Sequence, residues 1–269
     1  MKTEIAAEMD IGDAFARIVR SSDNGPIRRI LNGRRSIRTG TFISFKADLR
    51  AMPWESYKGE LAVLKLAEAA AGIAGLLAQP HRLEIYTREL RQPLLYFPDL
   101  QVSADDEFLA GLQSRTPFVC LAAGMRLRAV PVNRCRTAII EVKLPDDPRR
   151  DDPFYNQKIR LAAEVYRRLN MPFLIIERTA DFPPARTAPF QDLFTYDRHT
   201  KIDHGDYNAV SRMFGSEAKA RPYGEVAEQL GGGSLGRAKI LALQLRRKLS
   251  INLSDRITDD SKVLYVRWS

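Results

Sequence analysis

With two cysteines and three histidines in 269 residues, the chain has too few of either for a disulfide framework or a zinc-finger array. The stretch from Met1 to Val19 interleaves acids with apolar residues and lacks the apolar core of a secretory signal. The longest apolar run, 61–78, carries Lys65 and Glu68, so it reads as a buried helix and no membrane span is expected. No glycine-rich loop ends in Gly-Lys-Ser/Thr, and Gly231–Gly233 lacks that ending, which argues against nucleotide hydrolysis. Internal repeats at solenoid periods are also missing. What is present is an ordinary apolar share, 45%, which excludes wholesale disorder, and a basic excess of +9. Such an excess favours a polyanionic partner, because neutralised phosphates release counterions, although many basic proteins are simply soluble.

The charge is unevenly spread. Between Pro26 and Arg50 stand Arg28, Arg29, Arg34, Arg35, Arg38, Lys46 and Arg50, against the single acid Asp48. The glycine- and arginine-rich part around Arg34, Arg35 and Arg38 reads as an exposed arm able to contact phosphates. Residues 54–77 read as a helix that ends at Gln79-Pro80, since a residue before proline is pushed out of helical geometry. Strands are expected at 81–86, 94–102, 137–144 and 173–176, with an amphipathic helix over 153–169. That order predicts an α/β fold with a mixed sheet flanked by helices. The proline-bearing stretch 181–189 reads as a linker. Beyond Pro222 the pattern of helix, glycine turn, basic helix and two short strands predicts a small winged-helix-like domain. The expected organisation is therefore a segment with a basic arm (1–50), a catalytic domain (51–180), a linker region (181–221) and the C-terminal domain (222–269).

Two acids lie in apolar strands. Tyr96-Phe97-Pro98-Asp99-Leu100 holds one, and Ile139-Ile140-Glu141-Val142-Lys143 holds the other together with a lysine. Strand residues two apart share a face, so Glu141 and Lys143 project together, opposite Ile140 and Val142. An unpaired buried carboxylate is costly, so Asp99 and Glu141 need a cation or dense hydrogen bonding. If their strands are sheet neighbours, both can converge on one hard divalent ion, and oxygen donors favour magnesium or manganese over zinc. Lys143 would then orient or deprotonate an attacking water. Acid–x–lysine triplets are common as surface ion pairs; the apolar strand and the preceding Pro-Asp make this one more specific.

The combination resembles the PD-(D/E)xK nuclease superfamily, with Pro98-Asp99 and Glu141-Val142-Lys143 as its halves. It is similar in particular to the TnsA family of transposon endonucleases, through Glu55-Ser56-Tyr57-Lys58-Gly59-Glu60, Gln79-Pro80 and the two strand motifs, over about residues 36–180. The resemblance implies a restriction-endonuclease-like core with Glu60, Asp99, Glu141 and Lys143 as the catalytic set. It implies that Asp99, Glu141, Glu60 and the Val142 carbonyl bind Mg2+, with Mn2+ as a substitute. The interval from Asp99 to Glu141 is long for that superfamily, so 103–136 reads as an insertion. Glu55 and Glu60 compete for the helical role, since about 500° of helical rotation separates them; the family spacing favours Glu60. Gln157 and Lys158 are candidates near the scissile phosphate, with an exposed first turn as the plain alternative.

The expected activity is metal-dependent hydrolysis of double-stranded DNA. The resemblance further implies cutting at transposon ends beside a transposase subunit and an ATPase regulator, in the cytoplasm at the bacterial nucleoid. The alternatives are a stand-alone restriction or repair nuclease and a non-catalytic DNA-binding adaptor. Gln79 is expected to brace its turn, His81 to be packed or exposed, and His199 and His204 to lie in a solvated loop. Cys120 and Cys135 are expected as free thiols. The basic helix carrying Arg237, Lys239, Arg246, Arg247 and Lys248 is assigned either to a DNA groove or to a protein partner.

Overall fold

The computed structural model of the protein describes residues 2–28, 38–215 and 219–268. In chain order the first elements are β1 (Thr3–Asp10), β2 (Ala14–Ser21), β3 (Gly40–Ser44), β4 (Arg50–Trp54), α1 (Glu60–Ala69), β5 (Ile73–Ala78), β6 (His81–Thr87), β7 (Leu94–Tyr96) and β8 (Leu100–Ala104). Then come α2 (Asp106–Gln113), α3 (Phe118–Ala123), β9 (Arg128–Ala129), β10 (Arg136–Lys143), α4 (Pro153–Arg168) and β11 (Phe173–Glu177). The last are α5 (Pro184–Leu193), α6 (His204–Phe214), β12 (Arg221–Pro222), α7 (Tyr223–Gln229), α8 (Gly233–Leu245), β13 (Leu249–Ile251), β14 (Lys262–Tyr265) and β15 (Arg267–Trp268). The fold is mixed α/β with several sheets. Among the described residues, no helix is long and apolar enough to cross a membrane.

Two compact units form, each discontinuous in sequence. One comprises residues 1–64, 75–103 and 136–179, the other 65–74, 104–135 and 180–269.

In the first unit β1-β2-β6-β7 form an antiparallel sheet, with Ala16 opposite Ile85 and Ile18 opposite Leu83. Its apolar face meets α4, whose Tyr155, Ile159, Ala162 and Tyr166 recur at three- and four-residue steps and are buried with Leu83, Ile85, Tyr96 and Ile139. Asp152 caps α4 by accepting from the Phe154 amide, and Pro153 follows at the first helical position. His81 is buried, its Nε2 2.7 Å from the Tyr166 hydroxyl, and burial lowers its pKa to about 4. A second sheet runs β11-β10-β8-β5, with β10 and β11 parallel and Glu141 opposite Ile175.

Three expectations are corrected. The 54–77 run is not one helix: α1 ends at Ala69, and Ile73–Ala78 is a strand. A short apolar run fits a buried strand as well as a buried helix by period, and Gly72 marks the break between them. The 94–102 run is two strands in different sheets, β7 and β8, divided at Phe97-Pro98-Asp99. The 181–221 segment is not a bare linker but carries α5 and α6, with Phe190, Leu193, Val210 and Phe214 buried. Its polar residues, read as a solvated loop, include a capping box. Asp203 accepts from the Asp206 amide, and Asp206 accepts from the Asp203 amide.

In the second unit α2 and α3 fill the interval read as an insertion, and Phe108 meets Phe118 edge-on at 5.7 Å. Helices α7 and α8 pack so closely that a Cβ on Gly236 would stand 2.1 Å from the Ala227 carbonyl oxygen. Strands β12-β14-β13 form a small antiparallel sheet, with Leu249 opposite Tyr265. Several cations of the basic helix region are engaged within the unit. Arg237 pairs with Asp259 and Lys239 with Asp206, both at 2.6 Å, and Arg247, 4% exposed, donates to the Ala71 and Val130 carbonyls. Cys120 and Cys135 are free thiols.

Candidate functional site

Asp99 sits where the chain leaves β7 for β8, so Pro98-Asp99 joins two sheets. Proline suits that junction because it has no amide to offer a ladder. The Asp99 carbonyl accepts from the Gln79 amide at 2.9 Å. Gln79 is the left-handed residue (φ 47°) of the β5–β6 turn, and its own carbonyl accepts from Ile27, so it braces the turn as expected. The Asp99 carboxylate in turn accepts from the Val142 amide at 2.8 Å. Strands β8 and β10 are sheet neighbours, the arrangement that the sequence required for the two acids to approach.

Glu60 is the first residue of α1, and its carboxylate accepts from the Glu55 amide at 3.0 Å. With Asp99 and Val142 it lines a cavity of about 790 Å³, which Glu55, Tyr57, Asp146 and Asp147 also line. Arg38, Lys58 and Arg149 bring positive charge to the same walls. Glu55 precedes the helix, so helical rotation does not separate it from Glu60, and both reach the cavity. This corrects the premise that rotation lets only one of the two reach the site. Glu55 is paired with Arg28 at 2.8 Å.

Burial pushes Glu60 up to about 7, with the Glu55 and Glu141 charges adding to the shift. Asp99 is pushed well above the usual carboxylate range by burial, then by Glu141 and Glu60, against the Val142 hydrogen bond. Among the described residues neither Glu60 nor Asp99 makes an ion pair. Two half-buried, mutually repelling carboxylates whose nearest cations, Arg28 and Arg149, stand off without forming an ion pair with either suit a hard divalent ion. Among the described residues no three of His, Cys, Asp and Glu form a ready cage. Magnesium commonly takes one or two carboxylates and completes its shell with waters and substrate phosphate oxygens, so the donors present fit it.

Glu141 and Lys143 face α4 and are not among the described residues lining that cavity. Glu141 is 3% exposed, and both its oxygens accept tyrosine hydroxyls: Oε2 from Tyr96 at 2.6 Å and Oε1 from Tyr155. Lys143 Nζ donates to the Tyr155 hydroxyl, lies 3.6 Å from Glu141 Oε1 and is 3.5 Å from Asp147 Oδ2. Asp147, which also lines the cavity, accepts two bonds from the Arg149 guanidinium, and that pairing holds its pKa below the usual range. The catalytic set of the sequence reading thus falls into two adjacent groups, Glu60–Asp99 and Glu141–Lys143. The amide of Val142 carries the bond between Asp99 and β10.

Of the candidate DNA-contacting residues, Arg38 lines the cavity, whereas Arg34 and Arg35 lie outside the described residues. Lys158 stands with its ammonium 5.3 Å from the Tyr155 ring centre, and Gln157 is half-buried beside it in α4. Sequence reasoning passed over Tyr155, Asp147 and Arg149. Tyr155 had a signal, since it stands four residues before Ile159 on the apolar stripe of α4. Asp147 and Arg149 follow β10 in a polar loop that carries no periodic pattern. In comparisons with known proteins, the chain matches no family model and no curated sequence.

Proposed function

We propose that the protein is a divalent-metal-dependent DNA endonuclease that hydrolyses backbone phosphodiesters. The observation that carries this reading is the pair Glu60 and Asp99, half-buried, without a protein ion pair among the described residues, and lining a cavity with Arg38, Lys58 and Arg149 on its walls. Glu60, Asp99 and the Val142 carbonyl would hold Mg2+, or Mn2+ in its place, with Glu141 as the further carboxylate. Such an ion, when bound, supplies Lewis-acid polarisation of the phosphate and acidifies water. The residues of the chain do the rest. Arg38, Lys58 and Arg149 attract and seat the polyanionic backbone. Lys143, its Nζ held by Tyr155 and Asp147, orients the water whose oxygen attacks phosphorus in line as the sugar oxygen leaves. The restriction-endonuclease-like core and the setting at transposon ends, with a transposase and an ATPase regulator as partners, draw their support from the sequence motifs. The winged-helix-like reading of 222–269 draws its support from the order of α7, α8, β13 and β14.

The test is cleavage of supercoiled plasmid with Mg2+ or Mn2+, alongside calorimetric titration of Mn2+, for the wild type and Asp99→Ala. The variant should lose Mn2+ binding and at least about 100-fold in cleavage while still retarding DNA. Equal cleavage by the variant, or a wild type that neither binds Mn2+ nor cuts, would overturn the reading.

A further inference from the structure

Glu141 is held in a way that its sequence motif does not account for. The motif calls for dense hydrogen bonding without naming its source, and the structure supplies a hydroxyl on each oxygen, from Tyr96 on β7 and from Tyr155 on α4. The Tyr155 oxygen also receives the Lys143 ammonium, so the chain of donors runs from Lys143 to Tyr155 to Glu141, with Tyr96 closing the other side. Each carboxylate oxygen has two lone pairs, so a hydroxyl on each fixes the plane of the group and leaves one lone pair per oxygen for another partner. Tyr155 has a second attachment through its ring. The cationic centres of Lys143, Arg149 and Lys158 lie 3.7, 4.9 and 5.3 Å from the ring centre. An aromatic face attracts cations at such distances, so one side chain gathers three charges of the sign that a DNA phosphate seeks.

We infer that Tyr155 is a positioning residue of this site: its hydroxyl, together with that of Tyr96, orients Glu141 and Lys143, and its ring assembles a phosphate-facing cluster from Lys143, Arg149 and Lys158. The inference rests on the nuclease reading and deepens it. Hydroxyls and carboxylates just outside a metal's own ligands set ligand orientation, and their loss costs about 10–100-fold in metal affinity or activity. The two halves of the side chain therefore have separable effects. Removal of the hydroxyl disturbs Glu141 and Lys143 and leaves the ring in place. Removal of the ring also disperses the cations.

The experiment compares wild type, Tyr155→Phe, Tyr155→Leu and Tyr96→Phe in Mn2+ calorimetry and in steady-state cleavage of a DNA duplex. Circular dichroism melts report folding. Tyr155→Phe and Tyr96→Phe should each weaken Mn2+ binding and lower kcat by about 10–100-fold, with KM for DNA unchanged. Tyr155→Leu should add a rise in KM to the same loss of kcat. If the wild type binds Mn2+ and cleaves while both phenylalanine variants match it, the inference fails and the nuclease reading stands. Tighter Mn2+ binding or faster cleavage by Tyr155→Phe would show that the hydroxyl masks Glu141 instead of orienting it, and would also overturn the inference. A wild type without either property sinks the nuclease reading and this inference with it.

Discussion

Glu141, buried on β10, and Glu60, half-buried at the start of α1, are treated in opposite ways. Glu141 is held by protein groups on both oxygens, with a tyrosine hydroxyl on each and an ammonium 3.6 Å away. Glu60 receives a single backbone amide and no ion pair among the described residues, and burial with nearby acids lifts it to about 7. Asp99 resembles Glu60 in this respect, with one amide and a strongly raised pKa. A carboxylate with protein partners on both oxygens contributes to the fold, whereas one with a single amide burdens it when ionised. Burial alone therefore does not separate these acids; the number of close hydrogen-bond and ionic partners does.

Removing each acid should move stability in opposite directions. The largest expected effect is Glu141→Ala, which strands two buried hydroxyls and an ammonium and should destabilise the metal-free protein by about 3–5 kcal/mol in denaturant titration. A loss below about 1 kcal/mol would break the contrast. Glu60→Gln should instead stabilise the metal-free protein at pH 8, on the order of 3 kcal/mol, because the ionised form is disfavoured in the fold. The sign follows from the raised pKa. In the wild type this stability is present below about pH 4.5 and is lost as pH rises to about 7, so the variant's advantage should grow across that window and vanish beneath it. A pH-independent difference between the two proteins would rule out the assigned charge state. The smallest effect is Glu55→Gln, which removes a neighbouring negative charge and should lower the Glu60 midpoint in a carboxylate NMR titration. An unchanged midpoint would remove Glu55 from the electrostatics of the cavity.

The strand alternation of 139–143 was legible without coordinates, and so was the need of Asp99 and Glu141 for company, because both follow from local period and from the cost of burying charge. The amphipathic period of α4 was equally legible. Elements whose pattern is ambiguous were not. The alanine-rich 61–78 run satisfies a helix until Gly72, and only pairing in the β11-β10-β8-β5 sheet makes its second half a strand. The region 94–102 reads as one apolar run, yet Pro98-Asp99 hands it from one sheet to another. The basic residues of α8 and the turn after it read as a surface for DNA or a protein partner, whereas Arg237, Lys239 and Arg247 find acids and carbonyls from distant parts of the chain.

By itself the sequence determined the class of fold, the strand that carries Glu141 and the face on which Glu141 and Lys143 stand, since these depend on residues within a few positions of one another. Tertiary structure alone decided which acid is satisfied and which is left open. That depends on Tyr96, Tyr155 and the Val142 amide, groups brought to the carboxylates by packing across intervals that no local period encodes.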